Sequence, residues 1–198
     1  MRLSSRSLAG TAAAAAVLAL GACTSSGSST AQGTTNFPAG DQNITMLAPD
    51  KRPMPGQLRG QTVDGGTVDV ADYHGHVVVL NVWGSWCPPC QAEAPDLQAA
   101  SQVLAPKGVK FLGIAVREPG TAEARAFQRT YGITYPSLLD KDNDYLLSLR
   151  GVVAANAIPS TIVLDGQGRV AARFSGKITK STLVDLVDDV IAGRVRTS

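Results

Sequence analysis

Cysteine and histidine are scarce in this chain, and each shortage excludes a class of protein. Three cysteines among 198 residues cannot build the dense disulfide framework of a small secreted scaffold. A tetrahedral zinc site on the pair Cys87 and Cys90 would need two further ligands. The only histidines, His74 and His76, stand close together in a turn-like stretch. We expect both to face solvent and predict no metal site.

The chain also lacks an excess of charge of one sign and an apolar run of membrane-spanning length. It carries 18 Lys and Arg residues against 16 Asp and Glu residues, and two of the arginines lie near the N-terminus. This balance does not predict nucleic-acid binding. The apolar residues 8–20 are too few for a transmembrane helix, which needs about 20 residues.

The N-terminus has the pattern of an export signal. Two arginines precede the apolar residues 8–20, and the run Leu-Gly-Ala-Cys follows at 20–23. A cysteine directly after small residues resembles the lipobox of bacterial lipoproteins, in which the cysteine is lipidated and becomes the first mature residue. Gly21 is a less usual choice at its position, so cleavage that leaves Cys23 free remains an alternative. The resemblance implies a lipid at Cys23 and a location on the extracytoplasmic face of the membrane.

Composition divides the rest of the chain into a tether and one domain. Residues 24–30 are polar and rich in Ser, Thr and Gly, so they can bury little surface. We predict a signal peptide at 1–22, a flexible tether at 23–56 and a folded domain at 57–198. A tether of this kind would hold the domain away from the membrane surface.

The domain alternates strand-like and helix-like patterns, which indicates an α/β fold. A βαβ unit followed by a hairpin and a last helix is the order of a thioredoxin-like fold, with a central mixed β-sheet flanked by helices and an N-terminal β-hairpin extension. The predicted elements are a hairpin within 57–70, strands at 77–83, 109–116 and 138–139, helices at 88–104, 121–131 (capped by Thr121) and 142–150, a hairpin of 161–164 and 170–174, and a final helix capped by Thr179 or Ser181.

Two cysteines three residues apart occur where the first buried strand gives way to a helix. Such a pair can form and lose a disulfide, and the outer sulfur of Cys87 lies where backbone N–H groups and the helix dipole stabilise a thiolate. Pro88 and Pro89 fit the first helical positions but supply no N–H, which leaves the Cys90 N–H as the donor. We therefore expect a solvent-accessible Cys87 as nucleophile and Cys90 as the resolving thiol of thiol–disulfide exchange. An inert structural bridge and half of a zinc site are the alternatives.

Two segments resemble a known family. Residues 81–95 resemble the active-site segment of the TlpA/ResA/DsbE-like thiol–disulfide oxidoreductases, with the sequence NVWGSWCPPCQAEAP. Residues 157–161 resemble the second signature of the thioredoxin fold, which implies that Pro159 is cis and faces the cysteines. The Ile158 backbone would then pair with an extended substrate. We expect Trp86 to form an apolar rim over the disulfide.

Glu93 has two interpretations. It lies three residues after Cys90 and can share that helical face. In the family that the chain resembles, a glutamate here lies near the cysteines and influences their proton transfer. The alternative is an ordinary carboxylate that complements the helix dipole. Asn81 stands where ordinary thioredoxins carry a buried aspartate, and since an amide cannot take a proton, Glu93 or water would have to serve.

The sequence thus predicts an exported, membrane-tethered oxidoreductase that reduces protein disulfides. The resemblance implies substrates such as the haem-site cysteines of apocytochrome c, re-reduction by a membrane thiol donor, and no cofactor beyond the Cys87–Cys90 disulfide; we expect a monomer. A peroxide-reducing redoxin is one alternative, but Gly84 occupies the place of the threonine in the pattern Pro-x-x-x-Thr-x-x-Cys. A copper-binding module is the other, although such modules use a later histidine and none follows His76.

Overall fold

A computed structural model describes residues 43–154 and 157–195. The predicted signal peptide, the predicted lipidation site Cys23 and the first part of the predicted tether lie outside these residues. In the described part of the chain, no helix is both long enough and apolar enough to cross a membrane.

The structure has a central mixed β-sheet flanked by helices. The strands follow the order β1-β8-β7-β4-β5-β6 in the main sheet, and β2 and β3 form a separate two-stranded sheet. The elements are β1 (Ile44–Met46), β2 (Arg59–Gln61), β3 (Thr67–Asp69), β4 (Val78–Trp83), α1 (Pro88–Leu104), β5 (Lys110–Val116), α2 (Thr121–Tyr131), β6 (Ser137–Asp140), α3 (Asp144–Ser148), β7 (Ser160–Leu164), β8 (Val170–Ser175) and α4 (Lys180–Ile191).

The central strand β4 and its two neighbours bring three connecting segments together at one edge of the sheet. All six of its residues are buried, as its continuous apolar run predicts. It pairs in parallel with β5, with Val82 opposite Ile114, and antiparallel with β7, with Val82 opposite Ser160. The loops after Trp83 and after Val116, and the residues before Ser160, therefore lie at the same edge of the sheet.

Alternate residues of β4 face opposite layers of the core. Leu80 and Val82 lie in an apolar cluster on one face, while Val79 packs against α1 and α4 on the other. Trp83 belongs to a third cluster, in which its ring stacks on Phe127 of α2 at 4.2 Å between centroids. Trp83 is 3% exposed and is therefore part of the core.

The predicted tether extends too far into the folded domain. Ile44–Met46 form β1, an edge strand antiparallel to β8, and the following Leu47 is buried. Arg52 then forms an ion pair with Asp165 at 3.1 Å, with both side chains nearly buried. Three residues are too few to show a strand period, so only the pairing with β8 reveals this strand.

Two smaller expectations also change. Thr121 is the first residue of α2 rather than its cap, since Gly120 occupies the N-cap position and no side chain caps this helix end. The helix predicted at 142–150 is confined to Asp144–Ser148. The hairpin extension is confirmed as β2 and β3, and Thr62 between them makes a bridge to Leu138 of β6.

Candidate active site

The two cysteines are joined at the N-terminus of α1. Cys87 is the N-cap of this helix and is disulfide-bonded to Cys90, with 5.3 Å between their Cα atoms. Pro88 and Pro89 fill the first two helical positions and carry no N–H. The Cys90 N–H donates to Cys87 Sγ at 3.2 Å, so the expected backbone donor is confirmed.

The expectation that solvent reaches Cys87 is wrong for this disulfide form. Cys87 is 3% exposed and Cys90 1%. The pair belongs to an apolar cluster that includes Val63, which lies between β2 and β3, and the half-buried Ile158. Packing in this cluster buries sulfurs that the helix terminus alone would leave open.

Ile158 and Pro159 lie at the same edge of the sheet as the cysteines. The peptide bond between them is cis, as expected. Pro159 directly precedes β7, whose first residue, Ser160, is opposite Val82 near the end of β4. Ile158 packs in the cluster that contains both cysteines. An extended substrate chain entering here would meet the cis-proline segment and the disulfide together.

Trp86 is the exposed aromatic residue of the loop that carries Cys87. Its side chain is 46% exposed, and its Nε1 donates to Val116 O at 3.3 Å. The indole lies over Gly84, where an added Cβ would come within 2.7 Å of Nε1. A threonine at position 84, as the peroxide-reducing pattern requires, would collide with this indole.

Glu93 is buried rather than exposed at the helix surface. It is 1% exposed, and its Oε1 accepts from Asn81 Nδ2 at 2.8 Å while its Oε2 accepts from Ile178 N at 3.1 Å. Burial raises the pKa of Glu93 to about 7, against these two hydrogen bonds and Lys177, which lower it. A solvated carboxylate whose only partner is the helix dipole does not fit these contacts.

Asn81 connects this carboxylate to β7. It is buried on β4 and its Nδ2 also lies 3.4 Å from Thr161 Oγ1, directly across the strand pair. Its amide donates to the carboxylate. The neutral donor, Asn81, is therefore on β4, and the titratable group, Glu93, is on α1. A group with a pKa near 7 can accept and release a proton at neutral pH.

Two polar residues that the sequence pattern did not single out hold the cysteine loop. Glu118, after β5, accepts two hydrogen bonds from Ser85, and Gln91 of α1 donates to Ser85 O. Glu118 lies 33 residues from Ser85 in sequence. The signal that could have found it is its place just beyond a strand parallel to β4, where the loops of both strands meet.

The two histidines lie away from the cysteines. Both are exposed and precede β4, whereas Cys87 follows this strand. Within residues 43–154 and 157–195, no three His, Cys, Asp or Glu side chains are grouped so that they could hold a metal ion.

Comparisons with known proteins identify a family and a group of similar proteins. The AhpC/TSA family model matches residues 50–173. The thiol-disulfide oxidoreductase ResA of Geobacillus thermodenitrificans is 30% identical over 128 residues, which cover 65% of this chain and 71% of that protein.

Two solved structures have the same fold at higher identity. A DsbF homologue from Corynebacterium diphtheriae is 37% identical, with a TM-score of 0.72 over 79% of this chain and 99% of that one. A secreted thiol-disulfide isomerase from Corynebacterium glutamicum is 33% identical, with a TM-score of 0.73 over 79% and 96% of the two chains. The chain therefore belongs to the AhpC/TSA family and is a thiol–disulfide oxidoreductase of the ResA/DsbE type, with a thioredoxin-like fold.

Proposed function

We propose that this enzyme is an exported, membrane-tethered reductant of protein disulfides, and that the Cys87–Cys90 pair is its redox centre, with no bound cofactor. The observation that carries the direction of electron flow is the surroundings of the Cys87 sulfur. A single backbone N–H, that of Cys90, donates to it, the two prolines offer none, and the site is buried. Few donors and a low local dielectric disfavour a thiolate, and an unstabilised dithiol gives up its electrons readily.

The exchange proceeds through a mixed disulfide. The Cys87 thiolate attacks one sulfur of the substrate disulfide, an S–S bond forms, and the substrate's second sulfur leaves as a thiolate that takes up a proton. Cys90, once deprotonated, attacks Cys87 Sγ and releases the first substrate sulfur as a thiol. Two electrons pass to the substrate, and the enzyme ends with the Cys87–Cys90 disulfide.

Glu93 takes the proton of Cys90 in the second step. It lies one helical turn after Cys90, and its pKa of about 7 suits an acceptor at neutral pH. Glu93→Gln should therefore slow release of the mixed disulfide and remove a titration near pH 7 from the rate profile. An unchanged profile of turnover against pH would remove Glu93 from the reaction.

The substrate is an extended segment of a protein disulfide that lies against Trp86 and pairs with the Ile158 backbone beside Pro159. The resemblance to the ResA/DsbE type suggests the haem-site cysteines of apocytochrome c as the physiological disulfide and a membrane thiol donor as the source of new electrons. A Cys90→Ala variant cannot resolve the mixed disulfide, so it should retain its substrate covalently. Mass spectrometry of that adduct would identify the substrate, and an adduct without cytochrome c would refute this assignment.

A lipid at Cys23 holds the enzyme on the extracytoplasmic face of the membrane as a monomer. The lipobox-like residues before Cys23 and the polar segment after it support the lipid anchor. Cys23→Ala should move the protein from the membrane fraction to the soluble fraction. A wild-type protein without acyl mass would contradict the anchor.

The deciding experiment measures the reduction potential of the Cys87–Cys90 couple against a thiol redox buffer. A reductant should lie near or below the thioredoxin value of about −270 mV, whereas a value near the DsbA figure of about −120 mV would make the enzyme an oxidant. Cys87→Ser should abolish insulin-disulfide reduction while the fold remains. Peroxide consumption by the wild type at a comparable rate would favour a redoxin instead.

A further inference from the structure

We propose that Glu118 is a positioning residue for the exchange reaction, because its carboxylate fixes the loop that carries Trp86 and Cys87. The inference depends on Cys87 being the attacking thiol of the proposed function. It does not depend on the direction of electron flow.

Both carboxylate oxygens of Glu118 accept hydrogen bonds from one residue of the loop, Ser85. Oε1 accepts from the Ser85 backbone N–H at 2.6 Å, and Oε2 accepts from the Ser85 hydroxyl at 2.6 Å. Hydrogen bonds to an ionised acceptor are shorter and stronger than neutral ones, and two of them also fix an orientation. Glu118 therefore determines both the position and the rotation of Ser85.

The remaining polar groups of the loop are also held. Gln91 Nε2 donates to Ser85 O at 2.8 Å, so the N–H, the C=O and the hydroxyl of Ser85 all have partners. Trp86 Nε1 donates to Val116 O, and Cys87 N donates to Gly84 O at 3.1 Å. The loop is thus connected forward to α1 and sideways to the end of β5.

The backbone before Glu118 takes an unusual course. Arg117 has φ of 52°, in the left-handed region that residues other than glycine rarely occupy. It stands between the last residue of β5 and Glu118. This turn at the end of β5 brings Glu118 to the neighbouring loop, where a continued strand would carry it past Ser85.

Positioning and electrostatics predict different results for two substitutions. In Glu118→Gln, the amide oxygen can accept from the Ser85 N–H and the amide N–H can donate to the Ser85 hydroxyl, so both contacts survive without the charge. Glu118→Ala removes the contacts and the charge together. A positioning role predicts that Gln rescues activity, and a purely electrostatic role predicts that it does not.

The experiment compares these variants in two assays, insulin reduction and the pH profile of Cys87 alkylation by iodoacetamide, with the labelled site located by mass spectrometry. Glu118→Ala should lower kcat/KM by about tenfold, which corresponds to about 1.4 kcal/mol. Relative to Glu118→Gln, which also lacks the charge, Glu118→Ala should move the alkylation profile to higher pH, because the Cys90 N–H no longer lies in line with the sulfur. The kcat/KM of Glu118→Gln should stay within about twofold of the wild-type value. Gln keeps both contacts to Ser85, and it is a displacement of the reacting group by about 1 Å that lowers the rate.

Glu123→Ala and Glu123→Gln are the matched controls, since Glu123 is an exposed carboxylate in the first turn of α2. Both should behave as the wild type. Wild-type rates and profile in Glu118→Ala, or equal losses in Glu118→Ala and Glu118→Gln, would overturn the proposal.

A milder variant keeps the test valid if Glu118→Ala does not fold. Ser85→Ala removes the hydroxyl contact and leaves the backbone contact, so it should reduce kcat/KM by a smaller factor; a wild-type rate would then overturn the proposal. Failure of the proposed function has a different signature. If Cys87 is not the thiol that reacts first with iodoacetamide in the wild type, the assignment of the nucleophile fails before any variant is compared.

Discussion

Replacing Glu93 by Gln should change how the stability of the oxidised protein depends on pH. Burial raises the pKa of Glu93 from 4.5 to about 7 in the folded protein. Between these two values the folded protein binds a proton that the unfolded chain has released. The stability contribution of Glu93 is therefore fully present below pH 4.5 and is lost as the pH rises through about 7.

The magnitude follows from the size of this shift. A rise from 4.5 to about 7 corresponds to about 3 kcal/mol of unfolding free energy. Gln keeps the shape of Glu, can accept from the Ile178 N–H, and can meet Asn81 if the Asn81 amide rotates. Glu93→Gln should therefore match the wild type near pH 4.5 and exceed its stability by about 3 kcal/mol at pH 8.

Urea unfolding of the oxidised protein at pH 4.5, 6 and 8 measures this difference, because the disulfide removes thiol titration from the comparison. Glu123→Gln is the matched control, since that carboxylate is exposed and its loss should change stability by less than about 0.5 kcal/mol at each pH. The reasoning fails if the wild type and Glu93→Gln show the same dependence on pH.

Two further substitutions test the surroundings of the site. Gly84→Ala should displace the Trp86 indole, since the new Cβ would come within 2.7 Å of its Nε1. We expect the unfolding free energy measured with urea to fall by about 1–3 kcal/mol and the tryptophan emission to shift. An unchanged emission spectrum would contradict this packing. Arg52→Ala removes one of the two arginines that contact Asp165, while Arg169 remains. We expect the unfolding free energy to fall by about 1–3 kcal/mol, and stability equal to that of the wild type would mean that this ion pair does not fasten residue 52 to the folded domain.

The fold could be predicted from the sequence wherever a local pattern was long enough. The strand at Val78–Trp83 and the helix at Pro88–Leu104 have continuous apolar runs or clear terminal residues, and their predicted bounds agree with the structure within a residue. The strand at Ile44–Met46 has neither. Its stability comes from pairing with β8, about 130 residues later, and no local pattern carries that information.

The active site likewise has features that a local sequence pattern predicts and features that it does not. The positions of Cys87 and Cys90 at a helix start were predictable because a turn of α-helix fixes the distance between residues three apart. The environment of Glu93 was not, because its partners come from distant parts of the chain, Asn81 from β4 and Ile178 from the loop between β8 and α4.

The expectation that solvent reaches Cys87 was wrong for the same reason: the sequence predicts the position of the sulfurs but not the residues that pack around them. A helix N-terminus normally opens to solvent, and the sequence of α1 contains nothing against that. Val63 and Ile158, which belong to the apolar cluster that buries the cysteine pair, are 24 and 71 positions from Cys87, so no local pattern shows that they come together with it. In the proposed cycle, the thiol donor that re-reduces this disulfide must displace part of this cluster to reach a sulfur. We expect a substrate to contact first the exposed Trp86, whose indole donates to Val116 O and whose loop is fixed by Glu118, because this contact requires no such displacement.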